Sequence, residues 1–509
     1  MTNGDARAQR RILGLLFLGV LMGALDIAII GPALPALREA FGIDERAAAW
    51  TLTVFVLCNL IGTPIMAKLS DARGRRSVYA LAVSIFAAGS LLVALSCTFP
   101  MLIAGRVVQG LGAGGIFPVA TAVIGDVFPV ERRGRALGLI GAVFGLAFLL
   151  GPIVGGVLLI FGWPFLFLVN LPVAAVVIAG ALRLLPATGS GAGRSVDAPG
   201  MVLLSALLFS LAYGLNRIDA AGAGLAAPDV WPFLLAAAVL APAFWLHESR
   251  TRDPLMRPGL FRSRQVAIAS AVAVGSGLGE ASVAFVPALL VAAFGVTTSQ
   301  ASFMLVPIVI AMAIGAPVSG RLIDRVGSRA VVVAGTAAIG AGMLVVASAR
   351  PTLGLYYVAG TMIGLGMASL AGSALRYVML NEAPAEERGA AQGILTLFTS
   401  TGRLVGAALV GALVASRAGG VDGYAHAFRV IGIVMLALAA LSLGLKPRRE
   451  ELATAARHEA GGLTPYGEEA GARTVSGDEA GASTLFGDGA GAASASGDGP
   501  NAREEAEVR

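Results

Sequence analysis

Apolar residues in this chain come in runs of about 20, the length that carries an α-helix across a bilayer, separated by short charged or glycine-rich breaks. Fourteen such runs fall near residues 12–32, 49–68, 78–97, 101–124, 136–160, 163–185, 199–217, 230–247, 266–292, 301–322, 330–349, 353–377, 390–415 and 425–445. They are too long and continuous for barrel strands, and lipid tolerates only backbones whose hydrogen bonds close internally, so each is expected to be a spanning helix. The first run follows the basic segment MTNGDARAQRR, is longer than a signal-peptide core and contains Asp26, which reads as a retained first span.

The pattern is written twice. AKLSDARGRR (67–76) returns as GRLIDRVGSR (320–329), FPVERRGRALG (128–138) as APAEERGAAQG (383–393), and FGIDERAAAW (41–50) as FGVTTSQASF (294–303), at offsets of 253 to 255. Spans one to six therefore correspond to spans nine to fourteen. The expected architecture is all-α, two pseudo-symmetric six-helix bundles plus two extra central helices. Residues 1–11 form a cytoplasmic N-terminus, 12–185 and 266–445 the two bundles, and 186–265 a linker holding the extra pair. In 446–509 a ten-residue Gly/Ala/Ser/acid unit repeats about four times, too poor in apolar residues to fold alone, and a disordered cytoplasmic tail is expected. Two homologous six-helix halves suit alternating access, with substrate bound near the midplane.

Composition narrows the class. Of 509 residues, 56% are hydrophobic and 13% charged, with a mean hydropathy of +0.81, whereas soluble domains run at about 25% charged. Cys58 and Cys97 have no metal-site spacing and read as small buried hydrophobes. His247, His426 and His458 are scattered, and no nucleophile triad, phosphate loop or metal-ligand cluster accompanies them, so neither an enzyme nor a bound cofactor is expected. With the N-terminus inside, inward loops carry about four times as many basic residues as outward ones, which places both termini in the cytoplasm of a multi-pass protein. That asymmetry explains the formal charge of +6 without nucleic acid, and the arginine-for-lysine bias suggests a bacterial membrane.

Charges inside the spans carry the chemistry. Asp26 lies in LDIAIIGPALPAL (25–37), where a mid-membrane carboxylate costs about 2.5–3.5 kcal/mol and so marks a group that loads and unloads a proton. Pro32 and Pro35 are expected to break the helix ladder beyond it. Glu280 falls within one position of the symmetric mate of Asp26 and reads as a second proton- or substrate-binding acid. Arg106, in GRVVQGLGAGG, needs a buried partner, with Asp26 and backbone carbonyls as candidates; Arg403 is a further intramembrane base. In AKLSDARGRR, Gly74 permits a tight turn and Arg75 and Arg76 are expected to face water or anionic lipid. Asp71 and its counterpart Asp324 are placed to accept backbone N–H groups or pair with arginine, latching the cytoplasmic side. Glycines 141, 145, 151 and 155, with Pro152, give small-xxx-small spacing for close helix approach.

Taken together, residues 10–446 resemble the major facilitator superfamily, and specifically its fourteen-span drug:proton antiporters. AKLSDARGRR is similar to the loop motif between helices two and three, with Ala67 in place of the usual first glycine. GRVVQG resembles the helix-four motif, with Arg106, Gln109 and Gly110 in place. GLIGAVFGLAFLLGPIVGG resembles the helix-five antiporter motif through Gly138, Gly151, Pro152, Gly155 and Gly156, with Ala147 where a glycine is common. LDIAIIGPALP, GWPFLFLVNLP around Asn170 and RDPLMRPGLF also fit. The resemblance implies proton-coupled export driven by the proton motive force, with Asp26 and Arg106 in the coupling site and the helix-five glycines limiting leak.

The expected partners are protons, a small-molecule substrate and the lipid bilayer; an adaptor protein is allowed but not indicated. Apolar walls bearing one or two acids suit amphipathic, cationic cargo. The competing readings are a narrow-range metabolite exporter or proton symporter on the same fold, and a transporter-like sensor signalling through its tail.

Overall fold

Uninterrupted apolar sequence with well-placed glycine and proline breaks produces helices and nothing else among the described residues. A computed structural model describes residues 3–186, 197–221, 227–228, 230–251, 253–256, 258–348, 352–417 and 420–459, and the predicted repeat tail from 460 onward lies outside them. Fourteen segments within this range are long and apolar enough to span a membrane.

The N-terminal half comprises α1 (Asn3–Phe41), α2 (Glu45–Arg73), α3 (Arg75–Ala94), α4 (Phe99–Val127), α5 (Val130–Leu159) and a sixth span in two pieces, α6 (Phe165–Leu168) and α7 (Asn170–Leu184). The inserted pair is α8 (Ala198–Ala221) and α9 (Trp231–Arg250). In the C-terminal half, α10 (Arg264–Ala284) continues into α11 (Val286–Phe294), and α12 (Thr298–Phe303) leads into α13 (Val306–Val326). Then come α14 (Ser328–Val346), α15 (Leu353–Ser369), a π-helical turn (Leu370–Ala374), α16 (Leu375–Glu382), α17 (Arg388–Ala415) and α18 (Gly420–Ser442).

Duplication is visible in the turns. Gly74 ends α2 at φ 91° and its counterpart Gly327 ends α13 at φ 90°, a left-handed conformation that side-chain-bearing residues rarely adopt. Both turns lie at the end of the molecule where the basic loops gather, called here the arginine-rich end. Gln9 at the start of α1 donates to the carbonyl of Val127 at the foot of α4 (3.0 Å), so the chain enters at this end too. Large apolar side chains such as Leu91, Val202, Ile314, Val358 and Ile433 point outward, as a lipid-facing surface requires.

The halves meet along two seams. In one, α5 lies against α13 and the π-turn; in the other, α2 lies against α17, with the inserted α8 beside both. Small residues set the approach: a methyl group on Gly138 would stand 2.5 Å from the carbonyl oxygen of Ala316, and one on Gly145 2.7 Å from the nitrogen of Ala313.

Three expectations need correction. Helix α1 runs through Pro32 and Pro35 to Phe41 rather than breaking there. Residues 448–459, expected in the disordered tail, form a docked helix, α19 (Arg448–Glu459). Its Glu451 accepts from the Ser328 hydroxyl (2.6 Å) and amide (3.2 Å), and Arg448 donates to the Asp324 carbonyl (3.0 Å). Polar groups at the feet of α13 and α14, the Ser328 hydroxyl and amide and the Asp324 carbonyl, thus supply the partners that composition alone did not suggest. Cys97 is exposed, while Cys58 is buried as expected.

Candidate functional site

Asp26 is fully buried inside the N-terminal half, and five helices converge on it. Arg106 Nη1 on α4 donates to its Oδ2 (2.7 Å), while Gln109 Nε2 (2.7 Å) and Asn170 Nδ2 on α7 (3.0 Å) donate to its Oδ1. Ser90 on α3 accepts from both amides, and Arg106 Nε donates to the carbonyl of Thr51 on α2 (3.0 Å). The guanidinium lies 4.1 Å from the ring centroid of Phe55. Helical spacing sets Arg106 and Gln109 on one face of α4, and Nη1 also donates to Gln109 Oε1 (2.6 Å). The pairing of Arg106 with Asp26, a candidate on sequence grounds, is realised; Ser90 and Thr51 gave no signal, because lone hydroxyl residues in apolar spans are common.

Glu280 does not repeat this arrangement. It pairs with Arg403 on α17 (3.1 Å), and the two side chains are 20% and 52% exposed. Where the N-terminal half has Arg106, the C-terminal half has Gly360, so the acid takes its counter-charge from another helix.

At the arginine-rich end each of the two repeated turns reaches a helix of the opposite half. Asp71 accepts from the amides of Gly389 (2.9 Å) and Ala390 (2.7 Å), the first turn of α17 in the opposite half. Asp324 accepts from the amides of Gly134 and Arg135 (2.9 Å each), in the second turn of α5. Asp71 therefore sits at the positive end of α17 across the seam, while Asp324 meets α5 one turn further in. Arg75 corrects the expectation that it faces water or lipid: it is buried, paired with Asp71 and with Asp126 on α4 (3.0 Å), and donates to the carbonyl of Ala385 (3.2 Å). Arg388 bonds the same Asp126 (3.1 Å), so a carboxylate and an arginine that looked like ordinary loop charges join this cluster. Arg76 stays partly exposed.

The helix-five glycines divide between two tasks. Gly138 packs on α13, whereas Gly151 and Gly155 face Ala28 and Ile29 of α1. Pro152 and Gly156 are exposed, and nothing lies within 4 Å of where a side chain on Gly156 would start.

Arg376 on α16 was missed, because one arginine near a span end reads as a loop charge. It is 6% exposed, and its guanidinium carbon lies 3.9 Å from the ring centroid of Phe117 on α4 in the other half. Among the described residues there is no group of acidic, histidine or cysteine side chains that could hold a metal ion.

Comparison with known proteins bears on the whole chain. The model of the Major Facilitator Superfamily matches residues 16–261 and 266–489. The tetracenomycin C resistance and export protein of Streptomyces glaucescens is 33% identical over 419 residues, 80% of this chain and 77% of that protein. Multidrug resistance protein 3 of Bacillus subtilis is 28% identical over 418 residues, 81% and 80% of the two chains. Among solved structures, the proton:xylose symporter XylE has the same fold, with a TM-score of 0.62 at 15% identity over 88% of this chain and 99% of that one.

Proposed function

This chain belongs to the major facilitator superfamily of membrane transporters, and we propose that within it the protein exports small amphipathic molecules in exchange for protons, by alternating access. The sealed Asp26–Arg106 pair carries this reading. An aspartate that accepts three hydrogen bonds, one from a guanidinium, must shed donors when it takes a proton. Protonation would then free Arg106 and loosen α1 against α4 and α7, turning a chemical event into a helix movement. The named relatives, a tetracenomycin C exporter and a multidrug resistance protein, favour export over uptake.

Asp71, Gly74, Arg75, Arg76 and Asp324 form the gate in this reading, with Asp126 and Arg388 added. Gly138 lets α5 seal against α13, and Gly151 and Gly155 hold it to α1, which limits leak. Glu280, with Arg403, lies on the substrate path. The positive-inside rule assigns the arginine-rich end, and with it both termini, to the cytoplasmic side of a bacterial inner membrane.

Everted vesicles test this directly. Accumulation of a fluorescent amphipathic dye should require a proton gradient, collapse on adding a protonophore and be lost in Asp26→Asn. Dye movement that ignores the protonophore, or wild-type rates in that variant, would refute proton coupling.

A further inference from the structure

The acids of the two halves are not free to meet a cation. Asp26 is matched by Arg106, and Glu280 is matched by Arg403. Among the described residues Arg376 also lies between the halves. No carboxylate among the described residues forms an ion pair with it; its Nη groups donate to the neutral acceptors Gln392 Oε1 (3.2 Å) and Thr396 Oγ1 (3.4 Å), both long for such bonds. Its Nε is buried without any hydrogen-bond partner. The Glu280 carboxylate acts on it only through space, already engaged by Arg403. Two arginines therefore share one acid, and a buried guanidinium without a charged partner is expensive to keep.

Its position fits a ligand-binding role. Arg376 follows the π-helical turn Leu370–Ala374, an irregularity found often at functional sites. It lies above the gate, where α16 of one half faces Phe117 of the other, and Phe117 stacks edge-on with Phe144 (4.9 Å). Arg403 lies seven residues beyond Thr396 on α17, about 10 Å further from the gate. An exposed arginine that deep in a span belongs on a water-filled path rather than against lipid.

We propose that Arg376 anchors an acidic group of the cargo, so that the transported molecules are amphipathic organic anions bearing a carboxylate or acidic phenol. The inference deepens the export reading and rests on it for the direction of movement alone. The anion exchanges the two long bonds to neutral acceptors for charge-assisted ones in the planar fork that arginine offers, and the apolar body of the ligand lies against Phe117 and Phe144. The acids that suggested cationic cargo from sequence are neutralised within the protein.

Two dyes with the same xanthene skeleton and opposite charge test this on the purified full-length protein in detergent. Fluorescence anisotropy should report saturable binding of fluorescein, an anion, and binding of rhodamine 6G, a cation, at least about tenfold weaker. Arg376→Gln should weaken fluorescein binding at least about tenfold, and Arg376→Lys should recover part of it. Glu280→Gln, which removes the one nearby negative charge, should tighten fluorescein binding about threefold. A change in that direction cannot come from misfolding, so this variant carries the test if Arg376→Gln does not fold. Absence of saturable fluorescein binding, equal or tighter binding of rhodamine 6G, or unchanged or weaker fluorescein binding in Glu280→Gln would each overturn the proposal. So would wild-type fluorescein affinity in a folded Arg376→Gln protein. Because binding in detergent needs no gradient, a cation preference sinks the anion site while leaving coupling untouched. Protonophore-insensitive dye movement in vesicles does the reverse.

Discussion

Asp26 and Arg106 cancel each other in a volume closed to bulk solvent, and that balance sets what each can tolerate. Removing one charge strands the other, which for a buried pair costs about 3–5 kcal/mol, whereas removing both can be nearly neutral. Asp26→Asn alone should therefore lower thermal stability by about that amount, and the double variant with Arg106→Gln should recover most of it. Neither should couple dye movement to protons. A double variant that regains stability and also restores gradient-driven transport would show the pair to be structural only. The pairing was legible from sequence because a lone carboxylate and a lone guanidinium in apolar spans have few alternatives. Arg376 was not legible, since an arginine six residues from the end of α16 has the same local signature as a loop charge. Only its position under Phe117, set by packing between halves, distinguishes it.

The contacts between the halves at the arginine-rich end, the gate of the proposed cycle, use backbone amides of helices as well as side-chain pairs. Asp71 bonds two first-turn amides of α17, where a negative charge is worth up to about 2 kcal/mol, and Asp324 bonds two amides one turn into α5. Replacing either with asparagine should favour opening at the arginine-rich end, by up to about thirtyfold in the ratio of states. The larger shift belongs to Asp71→Asn, because Asp71 also holds Arg75, and through it Asp126 and Arg388. Spin labels at exposed residues Arg73 and Ala385, with Cys58 and Cys97 replaced by alanine, would read the separation of the halves. Unchanged distances in both variants would mean that the glycine-lined α5–α13 seam alone keeps the end shut. The repeat offset made the paired aspartates legible, since it puts Asp71 and Asp324 in equivalent turns. Their partners were hidden because they are backbone amides, which every sequence offers everywhere. Helix α19 escaped notice for a related reason: its sequence is mostly polar, with only Leu452 and Ala455 packed on the core, and hydrogen bonds to the feet of α13 and α14 hold it.

At the scale of the molecule, duplication supplies a symmetric scaffold and the charges break that symmetry. The N-terminal half holds a closed, neutral acid–base pair, while the C-terminal half carries two arginines for one acid. The proposed proton site in one half and the proposed anion anchor in the other share no side chain. Between them lie the contact of Phe117 with Arg376 and the cross-half hydrogen bonds at the arginine-rich end. This division has an electrical consequence. One proton moving inward against one monovalent anion moving outward transfers two positive charges to the cytoplasm, worth about 4.6 kcal/mol at 100 mV, whereas exchange of a proton for a monovalent cation transfers none. In everted vesicles without a pH gradient, valinomycin with higher potassium outside makes the lumen positive and should accelerate fluorescein accumulation. Reversing the potassium gradient should slow it. Rates indifferent to both gradients would mean electroneutral exchange, and the anion anchor and the proton site could not then belong to one cycle with one charge moving each way.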